Sequence, residues 1–240
     1  MRLRKLFITA TLLLAPSLAS AQAPLQTAAE REALIRDAYA APYGKMLIAR
    51  LGEGLRRDAD PACLSSDKGL KPELLEARGR DLLINWSLRF TERMSTLYDA
   101  KVYAEKFPDS AELEKLKQNA DVKKYLAITA PARQVKMLDP IIENFSRYLL
   151  VYRVKLRFVS PLETGDTSND PTDAVEKAAE KFIASRKSKA LDRYLDLVEQ
   201  AAPALTASIK KDEALAAGAP VKLFKGVEAD LAQLCIGSGK

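Results

Sequence analysis

Apolar residues recur at helical spacing along most of the chain, which predicts a protein built almost entirely from α-helices. Leu47, Leu51 and Leu55 are spaced four residues apart and therefore share one face of a helix. The longest periodic stretch follows Pro72 and continues to Leu97. We therefore expect an all-α fold, an irregular bundle of several helices.

Capping and breaking residues divide this pattern into separate helices. Thr27 and Glu30 form a capping-box pair, whose side chains satisfy amide groups of a first helical turn. Pro131 and Pro140 punctuate a later helical stretch, since proline has no amide hydrogen to donate. These signals predict short connections between helices.

The stretch from Tyr152 to Val159 fits two kinds of secondary structure. Its apolar and basic residues alternate, which is the period of a half-buried strand. The only candidate partner strand is Val221 to Phe224, and an isolated two-stranded ribbon is marginally stable. Read as a helix, the apolar residues from Phe145 to Val159 line one face at spacings of four and three. We predict a helix here and keep one short β-ribbon as the alternative.

The polar, turn-rich segment 160–171 is the clearest linker in the chain. It ends at Asp170 and Pro171, which suit the N-cap and the first position of a further helix. We predict a single helical domain over residues 22–236, with 160–171 as a candidate sub-boundary. Residues 237–240 are predicted to be a flexible tail.

The first 21 residues have the three zones of a secretory signal peptide. A basic start is followed by an apolar run from Leu6 to Leu18 and by the small residues Ala19, Ser20 and Ala21. The run has 13 residues, whereas a membrane-spanning helix needs about 20. We predict cleavage between Ala21 and Gln22 and export by a bacterial-type route to the periplasm or the medium.

Loss of this leader changes the charge of the protein. Three of the 38 basic residues and none of the 32 acidic residues lie in residues 1–21, so the mature chain keeps 35 basic residues and a net charge of +3. A nucleic-acid-binding protein has a much stronger basic excess gathered on one face. We therefore expect no nucleic-acid partner, and no membrane span after cleavage.

The two cysteines of the chain, Cys63 and Cys235, are both retained after the predicted cleavage. In an oxidising compartment two lone cysteines most simply form one disulfide bond. The bond would join an early loop to the last helix. The alternative is a pair of buried free thiols. A catalytic redox role is not supported, because the chain has no Cys-x-x-Cys motif.

Catalytic and metal-binding patterns are sparse in this sequence. The chain has no histidine, which excludes His-containing triads and the His-Glu-x-x-His zinc site. Two Ser-x-x-Lys quartets, beginning at Ser65 and Ser208, lack the companion Lys-Thr-Gly motif and are interpreted as chance. We therefore assign no catalytic, cofactor-binding or metal-binding residue and expect no cofactor.

Four basic residues, Arg147, Arg153, Lys155 and Arg157, lie among the apolar residues that precede the linker. Their alkyl stems can cover apolar surface while their charges reach solvent or an anionic partner. This group is therefore a candidate partner face. The alternative is a central bundle helix whose basic residues only reach water, because most apolar stripes belong to a core.

Three classes of function remain open for such a chain. We favour a non-catalytic envelope protein that binds another protein or a cell-surface component through a helical face. The second class is a small-molecule or lipid carrier with an apolar cavity between helices. The third is a hydrolase that uses only carboxylate, serine or lysine chemistry.

Overall fold

The computed structural model describes residues 28–65, 71, 74–97, 110–158, 164–165, 170–200 and 226–237. Within these residues the structure contains nine helices and no strand, which confirms the all-α prediction. The predicted leader and its cleavage site, Ala21 and Gln22, lie outside the described residues, as do residues 238–240 of the predicted tail 237–240. The helices are α1 (Ala28–Ala40), α2 (Pro42–Asp58), α3 (Pro61–Leu64), α4 (Leu75–Leu97), α5 (Ser110–Leu116), α6 (Ala120–Val151), α7 (Thr172–Ser185), α8 (189–200) and α9 (Val227–Gln233).

The chain divides into two compact units, each assembled from segments that are distant in sequence. The described part of the first unit comprises residues 94–97, 110–137 and 170–200. That of the second unit comprises mainly residues 28–65, 74–93, 138–158 and 226–237. The prediction of a single domain with a sub-boundary at 160–171 stays a prediction.

An aromatic cluster forms the centre of the second unit. Trp86 of α4 is fully buried, and its ring centroid lies 5.1 Å from that of Phe145 and 5.0 Å from that of Tyr148. Phe145 in turn meets Phe158 edge to face, with ring centroids 5.7 Å apart. Such large rings contribute much of the apolar area that the unit removes from water. The cluster therefore holds α4, α6 and the segment after α6 together.

The first two helices of the second unit touch through their backbones. Pro42 suits the first position of α2, so the chain turns immediately after α1 ends at Ala40. A Cβ atom added to Gly44 would lie 2.3 Å from the carbonyl oxygen of Ala38 and 2.4 Å from the Cα atom of Tyr39. Only glycine therefore permits this close approach of α1 and α2.

Two tyrosine hydroxyl groups tie these helices to the rest of the second unit. The hydroxyl groups of Tyr39 and Ser87 lie 2.8 Å apart in the interior. Tyr43 donates to Oδ1 of Asp139 at 2.7 Å. Burial raises the pKa of Tyr39 well above its usual range, although the hydrogen bond with Ser87 opposes that shift. The Tyr39 hydroxyl group is therefore protonated throughout the physiological range.

The first unit has a separate apolar core around Tyr125 of α6 and Tyr194 of α8. Their ring centroids lie 6.3 Å apart, and burial raises the pKa of Tyr194 to about 12. At its surface Arg193 donates to both carboxylate oxygens of Glu112 at 2.8 Å, which links α8 to α5. The buried members of this core are Leu113, Val122, Tyr125, Ala179, Phe182, Leu191, Tyr194, Leu195, Leu197 and Val198.

Helix α6 passes through both of its prolines without ending, although the sequence pattern suggested separate segments. Pro131 has no amide hydrogen, so the carbonyl group of Ala127 loses its regular helical donor. In the same turn the guanidinium group of Arg133 folds back and donates to the carbonyl oxygen of Leu126. Burial lowers the pKa of Arg133 from its usual value. Arg133 thus adds a side-chain hydrogen bond to the carbonyl group next to the one that Pro131 leaves without its helical donor.

The prediction that the helix continues to Val159 is wrong beyond Val151. Arg153 adopts a left-handed conformation with φ of 49°, and its amide donates to the carbonyl oxygen of Leu150 at 3.1 Å. The amide of Val154 donates to the carbonyl oxygen of Leu149 at 2.9 Å. These two bonds form a Schellman motif, which closes the helix.

After this turn the chain follows the alternating pattern instead of the helical one. Leu156 and Phe158 are buried, whereas Lys155 and Arg157 are exposed. The β-ribbon alternative is not formed by the described residues, because Val154 makes only a single bridge. Its proposed partner, residues 221–224, lies outside the described part of the chain. Burial of alternate apolar side chains on the core is the physical reason that the helix ends.

Candidate functional site

Three consecutive apolar residues are exposed where α6 ends, and we refer to them as the apolar tip. The exposed fractions are 74% for Leu150, 60% for Val151 and 37% for Tyr152. Consecutive helical residues are about 100° apart around the axis, so these side chains point in different directions. The two preceding residues, Tyr148 and Leu149, are buried, and the ring of Tyr152 stacks on that of Tyr148 at 4.8 Å. The tip is therefore an extension of the core into solvent.

Basic residues surround the apolar tip in sequence, and the structure places the predicted partner face at this end of α6. The basic rim comprises Arg147, Arg153, Lys155 and Arg157. The last three are exposed, and Arg147 forms an ion pair with Glu143 at 3.1 Å. No aspartate or glutamate occurs between residues 144 and 162. The tip and the rim together form an apolar and cationic surface.

Arg153 occupies a backbone position that usually belongs to glycine. A left-handed conformation costs an ordinary residue about 1–2 kcal/mol, and glycine is the common choice at this position of a Schellman motif. A positive charge at the carboxyl end of a helix recovers about 0.3–1 kcal/mol through the helix dipole. Within the described residues Arg153 has no ion pair. A long cationic side chain therefore occupies a position where the backbone conformation favours glycine.

The residue pair at the end of α2 anchors the backbone of the rim. Asp58 Oδ2 accepts from the amide of Arg157 at 2.7 Å, and Arg57 Nη2 donates to the carbonyl oxygen of Arg157 at 2.9 Å. Arg57 also donates from Nε to Asp58 Oδ1 at 2.7 Å. These charge-assisted bonds fix the backbone of Arg157 and leave its side chain exposed.

The same contacts determine the charge state of the anchor. The side chain of Asp58 is 14% exposed, and hydrogen bonds from Arg57 hold its pKa below the usual value. The backbone bond from Arg157 acts in the same direction, while burial opposes both. Arg57, stabilised mainly by its hydrogen bonds to Asp58, has a raised pKa. The anchor is therefore fully ionised at neutral pH.

Helix α2 has a glycine where the rim segment crosses it. A Cβ atom added to Gly54 would lie 3.2 Å from Cδ1 of Leu156 and 3.3 Å from the carbonyl oxygen of Arg157. Helix α2 continues past Gly52 and Gly54 to Asp58. Gly54 provides room for the segment that carries the rim.

The predicted disulfide between Cys63 and Cys235 is present, with an S–S distance of 2.04 Å. Cys235 lies in a second Schellman motif, at the end of α9, and has a φ of 58°. Its carbonyl oxygen accepts from the amide of Asp60 at 2.9 Å. Two residues later the carbonyl oxygen of Gly237 accepts from the amide of Lys155 at 3.2 Å. The disulfide region is thus joined directly to the basic rim.

One acidic residue of α9 lies near the buried side of the tip. Burial raises the pKa of Tyr148 well above its usual range, and the negative charge of Glu228 adds to that shift. Glu228 is exposed, and it is the acidic residue whose charge acts on Tyr148. The surface has four basic residues. Its acidic residues are Glu228 and the ion-paired Asp58 and Glu143, so the net charge of the surface is positive.

The sequence located the basic rim but not the whole surface. Leu150 and Val151 were not singled out, although the five consecutive apolar residues from Tyr148 to Tyr152 are more than one helix face can bury. The length of this apolar run was the feature of the sequence that indicated an exposed apolar surface. The anchor formed by Arg57 and Asp58 had no signal, because it lies about a hundred residues from the segment it holds.

The described residues contain no cluster of three or more potential metal ligands, and none of their helices is long and apolar enough to cross a membrane. Comparison of the chain with protein-family models, with curated proteins and with solved structures finds no match. Function is therefore inferred from the geometry of the apolar tip and the basic rim.

Proposed function

We propose that this chain is an exported, non-catalytic binding protein that holds an anionic partner with the apolar tip and the basic rim. The observation that carries the proposal is the set of three consecutive exposed apolar residues beside three exposed basic residues. Export rests on the leader predicted over residues 1–21, and the disulfide between Cys63 and Cys235 agrees with an oxidising compartment.

The two parts of the surface contribute differently to binding. Covering apolar area stabilises a complex by about 25 cal/mol per Å², and Leu150 and Val151 are the most exposed large apolar side chains among the described residues. The basic rim selects an anionic partner and speeds its approach. Affinity therefore comes mainly from the tip, and selectivity from the rim.

The surface is held in place before any partner arrives. The Schellman motif fixes Arg153, and the anchor fixes the backbone of Arg157. Ordering loops on binding reduces affinity, so a surface that is already ordered retains more of its contact energy. No arrangement of the described residues favours the apolar-cavity carrier or the hydrolase over this binding role.

The test is capture of a partner from the envelope fraction by the mature protein and by the variant Arg153→Glu/Arg157→Glu. We expect at least tenfold less captured material for the variant, because two attractive charges become repulsive. The matched control is Lys177→Glu/Lys181→Glu, an exposed pair with the same spacing in the first unit. Circular dichroism melting curves should be unchanged for both variants. Capture that survives reversal of the rim would contradict the proposal.

A further inference from the structure

We infer that the anionic partner is the surface of a lipid bilayer, with the apolar tip in the interfacial region and the basic rim on the phosphate groups. This inference rests on the proposed function and names the class of partner. It is carried by three features of the surface: the direction of the tip side chains, the capping of the helix end, and the position of the rim charges.

The direction of the tip side chains fits a fluid apolar medium better than a groove on a protein. A helix that binds a protein groove presents residues at spacings of three and four along one stripe. Leu150 and Val151 are adjacent helical residues about 100° apart around the axis, and Tyr152 follows the helix end with its ring stacked on Tyr148, so the three do not form one stripe. Lipid surrounds such an end on all sides. Tyrosine is enriched at the membrane–water interface, where its ring and its hydroxyl group meet different media.

The capping of the helix end removes an obstacle to its entry into lipid headgroups. An unsatisfied carbonyl group at the end of a helix resists transfer out of water. Here the carbonyl oxygens of Tyr148, Leu149 and Leu150 accept from the amides of Tyr152, Val154 and Arg153. The carbonyl groups of the two residues before the tip and of its first residue are therefore satisfied by internal hydrogen bonds.

The charges of the rim lie where a membrane-bound tip would need them. Arg153, Lys155 and Arg157 directly follow the tip and are all exposed. Arginine and lysine stems extend along apolar surface while their charges reach the phosphate level. Each basic residue near an anionic membrane strengthens binding about fivefold. An apolar tip beside several basic residues combines apolar burial with electrostatic attraction to anionic lipids, the two contributions that set the strength of interfacial binding.

The first experiment measures co-sedimentation of the mature protein with vesicles of phosphatidylcholine, with and without phosphatidylglycerol. We expect binding to the anionic vesicles only. The variant Leu150→Ser/Val151→Ser should bind at least tenfold more weakly, because it removes the apolar contribution. Leu74→Ser is the control, since Leu74 is another exposed apolar residue, 46% exposed, outside the tip. Equal binding by the tip variant and the wild type would overturn the inference.

The second experiment distinguishes binding through the basic rim from non-specific electrostatic attraction between a basic protein and anionic vesicles. The variant Arg153→Gln/Lys155→Gln should bind anionic vesicles about 25-fold more weakly, from two charges at about fivefold each. Its matched control is Lys187→Gln/Lys189→Gln, two exposed lysines with the same spacing in the first unit. Equal weakening by both pairs would show non-specific adsorption and would overturn the inference.

The third experiment reports whether the tip enters the bilayer. Wild-type protein has a single tryptophan, Trp86, which is buried in the second unit. In Tyr152→Trp a second indole lies at the tip, and brominated phosphatidylglycerol vesicles should quench its fluorescence. The wild type provides the unquenched baseline. Absence of quenching in bound Tyr152→Trp would overturn insertion of the tip.

Failure of this inference is distinguishable from failure of the proposed function. Wild-type protein that binds neither kind of vesicle overturns the bilayer as the partner. If the variant Arg153→Glu/Arg157→Glu still loses envelope capture in that case, the binding face stands and its partner is an acidic protein. If capture is also unaffected, both proposals are wrong.

Discussion

Two helices of the second unit end in the same backbone motif, but their surroundings are opposite. The turn after α9 contains Cys235, which is 6% exposed, is bonded to Cys63 and accepts the amide of Asp60 through its carbonyl group. The turn after α6 contains Arg153, which is exposed and follows the apolar tip. Both residues adopt a left-handed conformation that glycine would adopt more easily. A common backbone turn therefore closes the fold at one end and presents a surface at the other.

The reason for a side chain at each turn is also different. Cys235 needs its side chain for the disulfide bond, which accounts for a cysteine at this position. Arg153 has no comparable partner among the described residues, and its charge near the helix end recovers only part of the backbone cost. The two turns therefore differ in what their side chains contact among the described residues: Cys235 is bonded to Cys63, and Arg153 is exposed.

Removal of the disulfide is the strongest way to break the α9 end. We expect Cys63→Ser/Cys235→Ser to lower the free energy of unfolding by about 4 kcal/mol, since the bond closes a loop of 172 residues and thereby restricts the unfolded chain. Urea denaturation of oxidised wild type and variant measures this loss. A reducing agent should destabilise the wild type and leave the variant unchanged. Equal stability of both proteins would contradict a structural role for the bond.

Removal of the anchor should loosen the α6 end by a smaller amount. Asp58→Ala leaves the amide of Arg157 and the guanidinium group of Arg57 without their acceptor, and we expect a loss of about 2 kcal/mol. The control is Glu53→Ala on the exposed side of α2, which should change stability by less than about 0.5 kcal/mol.

The contribution of Asp58 should also depend on pH. Its pKa in the folded protein is lowered, mainly by Arg57, so the stabilisation is fully present above the unfolded pKa of about 3.9. It is lost as the pH falls through the lower, folded pKa. The difference in unfolding free energy between wild type and Asp58→Asn should be constant from pH 5 to pH 8, as approximate limits, and shrink below about pH 4. A difference that persists unchanged into strong acid would contradict this assignment.

Substitution of Arg153 tests whether the backbone at this turn is left-handed. Arg153→Gly and Arg153→Ala remove the same charge, but only glycine adopts the left-handed conformation freely. We expect the glycine variant to be more stable than the alanine variant by about 1 kcal/mol. Thermal melting of the two variants under identical conditions measures the difference. Equal melting temperatures would show that the turn is not left-handed in solution.

Changes in the apolar tip should have the smallest effect on stability. Leu150→Ser/Val151→Ser alters exposed side chains, and we expect a change within about 0.5 kcal/mol. Leu149→Ser, one position earlier and 3% exposed, should cost several kcal/mol because it places a hydroxyl group in the core. A large loss from the tip variant would mean that these residues are packed inside the fold.

The sequence was sufficient for the parts of this structure that depend on local pattern or on chain-wide composition. Leucine spacing located α2, and the presence of only two cysteines located the disulfide. The basic residues from Arg147 to Arg157 were found because they interrupt an apolar run. The end of α6 was not predictable, since the residues after Val151 fit both the helical and the alternating period, and no glycine marks the turn at Arg153.

The contacts that decided the outcome at α6 are distant in sequence. Asp58 holds the amide of Arg157 from 99 residues away, and Gly237 holds that of Lys155 from the end of the chain. Neither contact has a periodic signature. Propensity favoured continuation of the helix, whereas the burial of Leu156 and Phe158 favoured an extended chain, and tertiary packing prevailed.

The separation of the two cysteines bears on how the molecule is made. A ribosome synthesises Cys63 long before Cys235. The second unit includes residues near both cysteines. During synthesis the early thiol has no native partner and is open to exchange with other thiols. A sealed bond therefore identifies a molecule whose translation has passed Cys235. A chain truncated earlier keeps Cys63 without its native disulfide partner.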